Sequence, residues 1–152
     1  MNTVRLATSE DSEDIWVWRN DTRTRSMAHS SDLVEWDSHS EWFDVTLQRD
    51  DRIVLIGIDE LKEKVGMVRF DLSDKKTAKI SVNLNPRKRG LGLAKSLLTE
   101  GIEHAKEKGV KLFIAEIKNE NVASVRTFKG IGFLFVASNS ELSFFRMATD
   151  EP

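Results

Sequence analysis

The chain has 152 residues, a formal net charge of −2 and no cysteine, which excludes disulfides, thiolate catalysis and cysteine-based metal sites and leaves no general attraction to polyanions. Its length suits one domain, residues 1–152, with a core large enough to fold without staples. No run approaches the roughly 20 apolar residues that span a bilayer, no signal-peptide h-region opens the chain, and no basic face or recognition motif points to nucleic acid. A cytoplasmic protein that binds neither membrane nor nucleic acid is the expectation.

Thr3–Ala7 reads as a short strand. Ser9 is placed to cap a helix that carries Ile15, Trp16 and Trp18 to about Asn20, and the polar stretch Asp21–Met27 is compatible with a further helix. Ser38 and Glu41 make a capping-box pattern that opens a helix through Trp42, Phe43 and Leu47. Ile53–Ile58 and Val65–Leu72 read as strands around a turn at Glu60–Lys64, and Lys76–Leu84 as a third. A helix over Gly90–Lys108 ends at Gly109, Leu112–Ile117 is a strand, and Asn121 caps a helix to Lys129. Phe133–Ala137 and Leu142–Ala148 form a closing hairpin around Asn139. Helices interleaved with a strand meander predict an α+β (mixed α/β) domain. The histidines, His29, His39 and His104, are too dispersed for a metal centre, and His104, close to Glu103 and Lys106 on an amphipathic helix, reads as a surface residue.

The densest signal runs from Asn83 to Leu98. A β-like stretch breaks at Pro86 into a basic loop that passes Gly90 and Gly92 and enters a helix with apolar residues at Leu93, Leu97, Leu98, Ile102 and Ala105. Strand, basic glycine turn and helix start make an anion site, because the first helical turn presents free N–H groups and the positive end of the dipole. Arg87, Lys88, Arg89 and Lys95 add charge there, and a pyrophosphate is the expected ligand. The dinucleotide fingerprint G-x-G-x-x-G fails because Lys95 replaces its third glycine, and no P-loop spacing occurs. The pattern that fits is [Q/R]-x-x-G-x-[G/A], at Arg89, Gly92 and Ala94; a second register, Arg87, Gly90 and Gly92, also matches. An ordinary helix start behind a solvated basic turn is the competing reading.

About 27 residues further on comes N-x-x-[AS]-x-x-x-[YF]-x-x-x-G-F, met by Asn121, Ser124, Phe128, Gly132 and Phe133. Together the two blocks resemble the acetyl-CoA signature of the GCN5-related N-acetyltransferase (GNAT) superfamily, over about residues 3–149. The resemblance implies that family's fold, a central twisted mixed sheet of about six to seven strands with flanking helices. Two parallel strands, here those ending near Leu84 and Ile117, would splay apart around the pantetheine arm of acetyl-CoA. It implies cofactor contacts from Val82, Asn83 and Leu84, from the loop Arg89, Gly90, Leu91, Gly92, Leu93, Ala94 and Lys95, and from Asn121, Ser124 and Phe128. Many members place at the Phe128 position a tyrosine that protonates the leaving thiolate, but this chain has none. Ser124, a water or the acceptor's own ammonium would supply that proton.

For the base, Glu116 stands where some relatives carry a carboxylate facing the acceptor amine, and alternation turns it away from Ala115 and Ile117. A solvent-facing glutamate paired with a basic residue is the alternative. His39, in an H-x-x-W-F pattern with Trp42 and Phe43, is the second candidate, against a helix-start histidine that merely packs on Trp42. The pattern W-R-N-D…R…H-x-x-W-F, with Arg69 and Asp71 in V-G-M-V-R-F-D, resembles acetyltransferases of nucleotide-linked amino sugars and implies acceptor contacts from Trp18, Arg19, Asn20, Arg23, Trp42 and Arg69. Guanidinium groups suit phosphate and rings suit base or sugar faces, although Trp16, Trp18, Trp42 and Phe43 are also candidate core residues. Ribosomal-protein N-terminal acetylation, small amines such as polyamines, and a CoA-binding module without transfer activity remain as alternatives. A homodimer through the C-terminal hairpin is expected by family habit.

Overall fold

The computed structural model describes residues 3–149. Seven strands, β1 (Thr3–Leu6), β2 (Arg52–Ile58), β3 (Lys64–Leu72), β4 (Thr77–Leu84), β5 (Leu112–Lys118), β6 (Leu134–Ser138) and β7 (Leu142–Ala148), form one sheet in the order β1-β2-β3-β4-β5-β7-β6. Neighbours are antiparallel except β4 and β5. A parallel pair needs a crossover, and helix α4 (Leu93–Glu107) supplies it.

Helix α4 lays Leu97, Leu98, Ile102 and Ala105 on one face of the sheet, against Val68, Phe70, Ala78, Ile80 and Phe113. Burying a leucine such as Leu97 contributes about 1.5–3 kcal/mol. Gly101 sets the closeness of the approach: a Cβ there would stand 2.7 Å from Val68 Cγ1. Helix α5 (Val122–Gly130) extends this layer with Phe128, which meets Phe133 edge to face at 5.0 Å between centroids. On the other face lie α1 (Ser12–Asn20), α2 (Thr22–Met27) and α3 (Trp36–Leu47), whose Ile15, Trp18 and Phe43 pack on Val54, Ile56 and Met67. Strand β6 is an edge strand, and Leu134, Phe135 and Val136 on it are exposed.

Several boundaries differ from the sequence expectation. Thr8, not Ser9, is the cap: the Asp11 carboxylate accepts from the Thr8 N–H and closes the box around a short 3-10 turn that precedes α1. Helix α3 starts at Trp36, after extended Glu35, so Ser38 lies inside the first turn and caps nothing; Trp36 is fixed there by its edge-to-face contact with Trp16 at 5.2 Å. Helix α4 begins at Leu93 rather than Gly90, because Pro86–Lys88 form a 3-10 turn and Gly90 and Gly92 take φ of 75° and 73°, left-handed values that no right-handed helix continues through. His104 is only partly exposed, not the open surface residue expected. It follows the buried Gly101 by three positions on α4 and precedes the buried Ala105, and its Nε2 is shielded from solvent with no hydrogen-bond partner.

Candidate active site

Strands β4 and β5 pair only through Thr77–Lys79 and Leu112–Ile114. Beyond that point β4 continues to Leu84 and β5 to Lys118, so the two diverge and leave a wedge. On its other side β4 stays paired with β3 as far as Leu84. The edge of β4 that carries Val82, Asn83 and Leu84 towards the wedge is therefore an open strand edge, able to hydrogen-bond an extended amide-bearing chain. At the end of β4 the basic turn leads to α4, whose N-cap Gly92 offers no side-chain cap and whose first turn holds no acidic residue. Its leading N–H groups are thus left for an external anion. A Cβ at Gly90 or Gly92 would meet nothing within 4 Å, so the loop around Leu91, Leu93, Ala94 and Lys95 is open to a ligand. A pantetheine arm followed by a diphosphate fits this wedge and turn.

The basic side chains of the turn do less than their sequence suggests. Lys88 pairs with Asp59 at 2.8 Å and Glu63 at 2.6 Å, which pins the turn to the loop between β2 and β3. Arg89 is bound to Asp21, the N-cap of α2, and to Thr24 Oγ1 at 2.8 Å. Only Arg87 and Lys95 of the four are without a carboxylate partner among the described residues, so the anion site rests chiefly on main-chain N–H groups. At the other lip of the wedge, Lys118 Nζ donates to the Ser26 carbonyl at 3.3 Å. Helix α2, which buries no side chain, is thereby tied to both lips. Sequence reasoning missed this strap because its contacts lie 65 to 92 residues apart.

Asn121 caps α5 as expected, its Oδ1 accepting from the Ser124 N–H at 3.3 Å. Ser124 sits half-buried in the first turn with a hydroxyl free of protein partners among the described residues. Phe128 is 3 % exposed and packs in the core between α5 and the sheet, so its ring serves the core there.

Glu116 lies past the last β4–β5 pair, on the sheet face opposite α4, and its side chain is 26 % exposed. Lys79, on the same face of β4, approaches it at 3.6 Å, a loose ion pair that screens rather than locks the carboxylate. Lys79 was absent from the sequence reading, although its alternation with Ala78 and Ile80 places it on this face. His39 is corrected. It is fully buried between α1 and α3, with Nε2 2.9 Å from the Ser12 carbonyl and Nδ1 3.1 Å from Arg19 Nη1. The partners assign Nε2–H as donor and Nδ1 as acceptor, so neither nitrogen is left for an amine's proton. Burial pushes its pKa down, the Ser12 carbonyl works against this, and the Arg19 charge lowers it further.

Among the expected acceptor contacts, Trp18 is core, 4 % exposed, and Asn20 spends its amide on the Val34 main chain at 2.9 and 2.8 Å; helix packing claimed both. Arg23 is exposed on α2. Arg19 and Arg69 do come together with Trp42, their guanidinium carbons 4.8 and 5.2 Å from its ring centroid. Arg69 also binds Asp71 at 2.9 Å.

No helix among the described residues is long and apolar enough to cross a membrane, and no group of three or more His, Asp or Glu residues there is arranged to hold a metal ion. The solved spermidine N-acetyltransferase of Vibrio cholerae, in complex with CoA and spermine, superposes with a TM-score of 0.88 at 15 % identity, covering 97 % of this chain and 95 % of that one. The yncA protein of Salmonella typhimurium, provisionally named an acetyltransferase and solved with acetyl-CoA, gives a TM-score of 0.82 at 24 % identity, over 100 % and 96 % of the two chains. These likenesses establish the fold. In sequence, YwnH of Bacillus subtilis (strain 168), provisionally named a phosphinothricin acetyltransferase, is 26 % identical over 137 residues, 86 % of this chain and 83 % of that protein. Residues 12–133 match the family described as Acetyltransferase (GNAT) family, and with the splayed parallel strands and the uncapped helix start in place, the chain belongs to the GNAT acetyltransferases, enzymes that draw their acyl group from acetyl-CoA.

Proposed function

We propose that the protein acetylates the primary amine of an anionic small molecule, a nucleotide-linked amino sugar, with Glu116 taking the amine's proton. The observation that carries this reading is the lining of the acceptor face: Arg19 and Arg69 gathered on Trp42, with Lys79 beside Glu116. The Vibrio cholerae relative is named for spermidine, a polycation. Arg69 and Lys79 already face Asp71 and Glu116, so the uncompensated charge on this face is that of Arg19, which repels such an acceptor and attracts one that bears phosphate or carboxylate. A phosphinate-bearing amino acid, the acceptor in the name of the Bacillus relative, meets the same charge requirement and is the second reading. The breadth of the Trp42 ring favours a base or sugar over so small a molecule.

Acetyl-CoA supplies the activated acyl group as a thioester. The open edge of β4 at Val82–Leu84 would hold the pantetheine arm, and a main-chain N–H there would face the thioester oxygen. Glu116, at the mouth of the wedge, would accept the proton that the amine loses as its nitrogen forms the new bond. With Phe128 buried and no tyrosine in the chain, Ser124 is the protein group left to return a proton to the sulfur. Little help is needed there, since a thiol of pKa about 8.5 is a competent leaving group.

The test is release of free CoA from acetyl-CoA, detected with a thiol reagent, over a panel of UDP-linked amino sugars, phosphinothricin, polyamines and peptides with free N-termini. Turnover on a nucleotide amino sugar that is lost in Glu116→Gln supports the proposal. Turnover confined to phosphinothricin moves the acceptor to the second reading, and turnover confined to polyamines or peptides overturns the anionic assignment.

A further inference from the structure

Arg19 is a half-buried cation that no carboxylate pairs among the described residues. Its one protein hydrogen bond is to His39 Nδ1 at 3.1 Å, and burial together with the nearby Arg69 charge disfavours its charged form. A guanidinium does not escape such a site by losing its proton. A fold that holds two guanidinium groups on one ring, one of them without a counterion, has left room for a negative charge from outside.

The position of Arg19 is held in a definite way. The Ser12 main-chain carbonyl accepts from His39 Nε2–H at 2.9 Å, which leaves Nδ1 as an acceptor aimed at Arg19. The imidazole is clamped by Phe43, stacked at 5.7 Å and 13°, and by Trp36 and Trp42 at 5.9 and 5.8 Å. A main-chain group thus fixes the tautomer, the tautomer fixes the guanidinium, and the guanidinium lies over Trp42 at 4.8 Å. The charged groups at this ring are Arg19 from α1 and, beyond Trp42, Arg69 from β3, which is paired with Asp71 at 2.9 Å, a carboxylate that Arg52 also approaches at 3.0 Å. A neutral His39 explains what a base would not: full burial with both nitrogens occupied.

We propose that Arg19 and Arg69 on Trp42 form an oxyanion subsite for the acceptor's phosphate, remote from its amine, and that His39 is the positioning residue that aims Arg19 into it. The inference rests on the reading of the acceptor as an anionic amine and names the residues that would recognise the anion.

The experiment is a UDP titration of the protein saturated with CoA, so that the cofactor's own phosphate site is filled, followed by tryptophan fluorescence and by the NMR resonance of the Arg19 guanidinium. Wild-type protein shows saturable quenching, and Arg19→Gln weakens UDP binding by about tenfold or more, the loss of one charge-assisted contact. In steady state, Arg19→Gln raises the KM of a phosphate-bearing acceptor by a similar factor and leaves the KM of acetyl-CoA within about twofold. His39→Leu follows Arg19→Gln, whereas His39→Gln, whose amide carries both a donor and an acceptor, stays within about threefold of wild type. Should His39→Leu not fold, His39→Gln and Arg19→Gln still decide. Unchanged UDP affinity in Arg19→Gln overturns the subsite, as does an equal loss for phosphate-bearing and uncharged acceptors. If no nucleotide amino sugar is turned over yet Arg19→Gln abolishes UDP binding, the subsite stands and the acceptor becomes another anionic amine. If a nucleotide amino sugar is turned over with an unaltered KM in Arg19→Gln, the acceptor reading stands and the subsite falls.

Discussion

The two faces of the sheet are built on different rules. Under α4 and α5 lies a continuous apolar cluster from Leu55 to Phe145. Under α1 and α3 the apolar cluster is small, and the buried polar residues Asp11, Ser12, His39 and Thr46 all lie in this layer's helices and their entry turn. The first face is a scaffold that any well-packed set of aliphatic and aromatic side chains could maintain. The second carries polar groups held by specific partners: Asp11 by Arg5 and Lys64, each at 2.8 Å, and His39 by Ser12 and Arg19. Such groups are costly if one partner is lost. The face under α4 and α5 is thus generic, and the face under α1 and α3, where the acceptor is proposed to bind, is particular.

This contrast can be broken by experiment. Glu116→Gln, on the particular face, should lower kcat by about 10²–10⁴-fold, the usual worth of a general base, while CoA affinity measured by calorimetry stays the same. An unaltered kcat would remove Glu116 from the chemistry. Leu97→Ala on the generic face, where Leu97 is 1 % exposed, should cost about 2–5 kcal/mol of stability, equally at pH 4 and pH 7, as read by denaturant unfolding. Asp11→Asn should cost about 2–3 kcal/mol at pH 7, below the figure for a wholly buried pair because the Arg5 and Lys64 side chains keep 43 % and 28 % exposure.

The Asp11 penalty should vary with pH, unlike that of Leu97→Ala. Burial alone would raise the Asp11 carboxyl, but hydrogen bonds from Arg5, Lys64 and the Thr8 N–H hold it well below the usual carboxylate range. Its contribution is complete above the unfolded pKa of about 3.9 and disappears as pH falls through the lower folded value. The difference between wild type and Asp11→Asn should therefore shrink in strong acid. A difference that stays constant down to pH 2 would contradict the ion-pair account. For His39 the folded pKa also lies below the ordinary value, so its contribution is complete above about pH 6.5 and is lost as pH falls through the folded value.

The smallest effect concerns the strap. Asp21→Asn releases Arg89 from the carboxylate that occupies it. CoA binding should tighten by only a few-fold, because the pair is partly solvated and its net worth is below about 1 kcal/mol. Weaker CoA binding in this variant would mean that Asp21 supports the loop rather than competing for Arg89.

Much of the scaffold was legible in the residues themselves. Period-two strands, the apolar stripe Leu97, Leu98, Ile102 and Ala105, the Asn121 cap and the glycine turn all act through neighbours a few positions away, and each stands where the sequence placed it. The capping errors at Ser9 and Ser38 came from local patterns that long-range packing outvoted, by Asp11 closing its box on Thr8 and by Trp36 meeting Trp16. The acceptor side was legible by residue type but not by role. Arg19, His39, Trp42 and Arg69 were singled out, yet whether a histidine is base or brace depends on whether both its nitrogens are taken. Asn20 and Trp18 were lost to packing for the same reason.

What the sequence by itself determined is the local part of the design: a glycine turn made from consecutive residues at the start of α4, and strands whose alternation declares which face is apolar. Local backbone geometry and nearest-neighbour periodicity are enough to write that down. What only the tertiary structure decided is the point, after Lys79 and Ile114, at which β4 and β5 part, the pairing of Arg89 with Asp21 across 68 residues, and the convergence of Arg19 and Arg69 on one tryptophan. Those arrangements depend on which side chains meet across the sheet and how far each is removed from water. Burial and charge compensation are properties of the assembled fold, and the particular face of this enzyme is made of them.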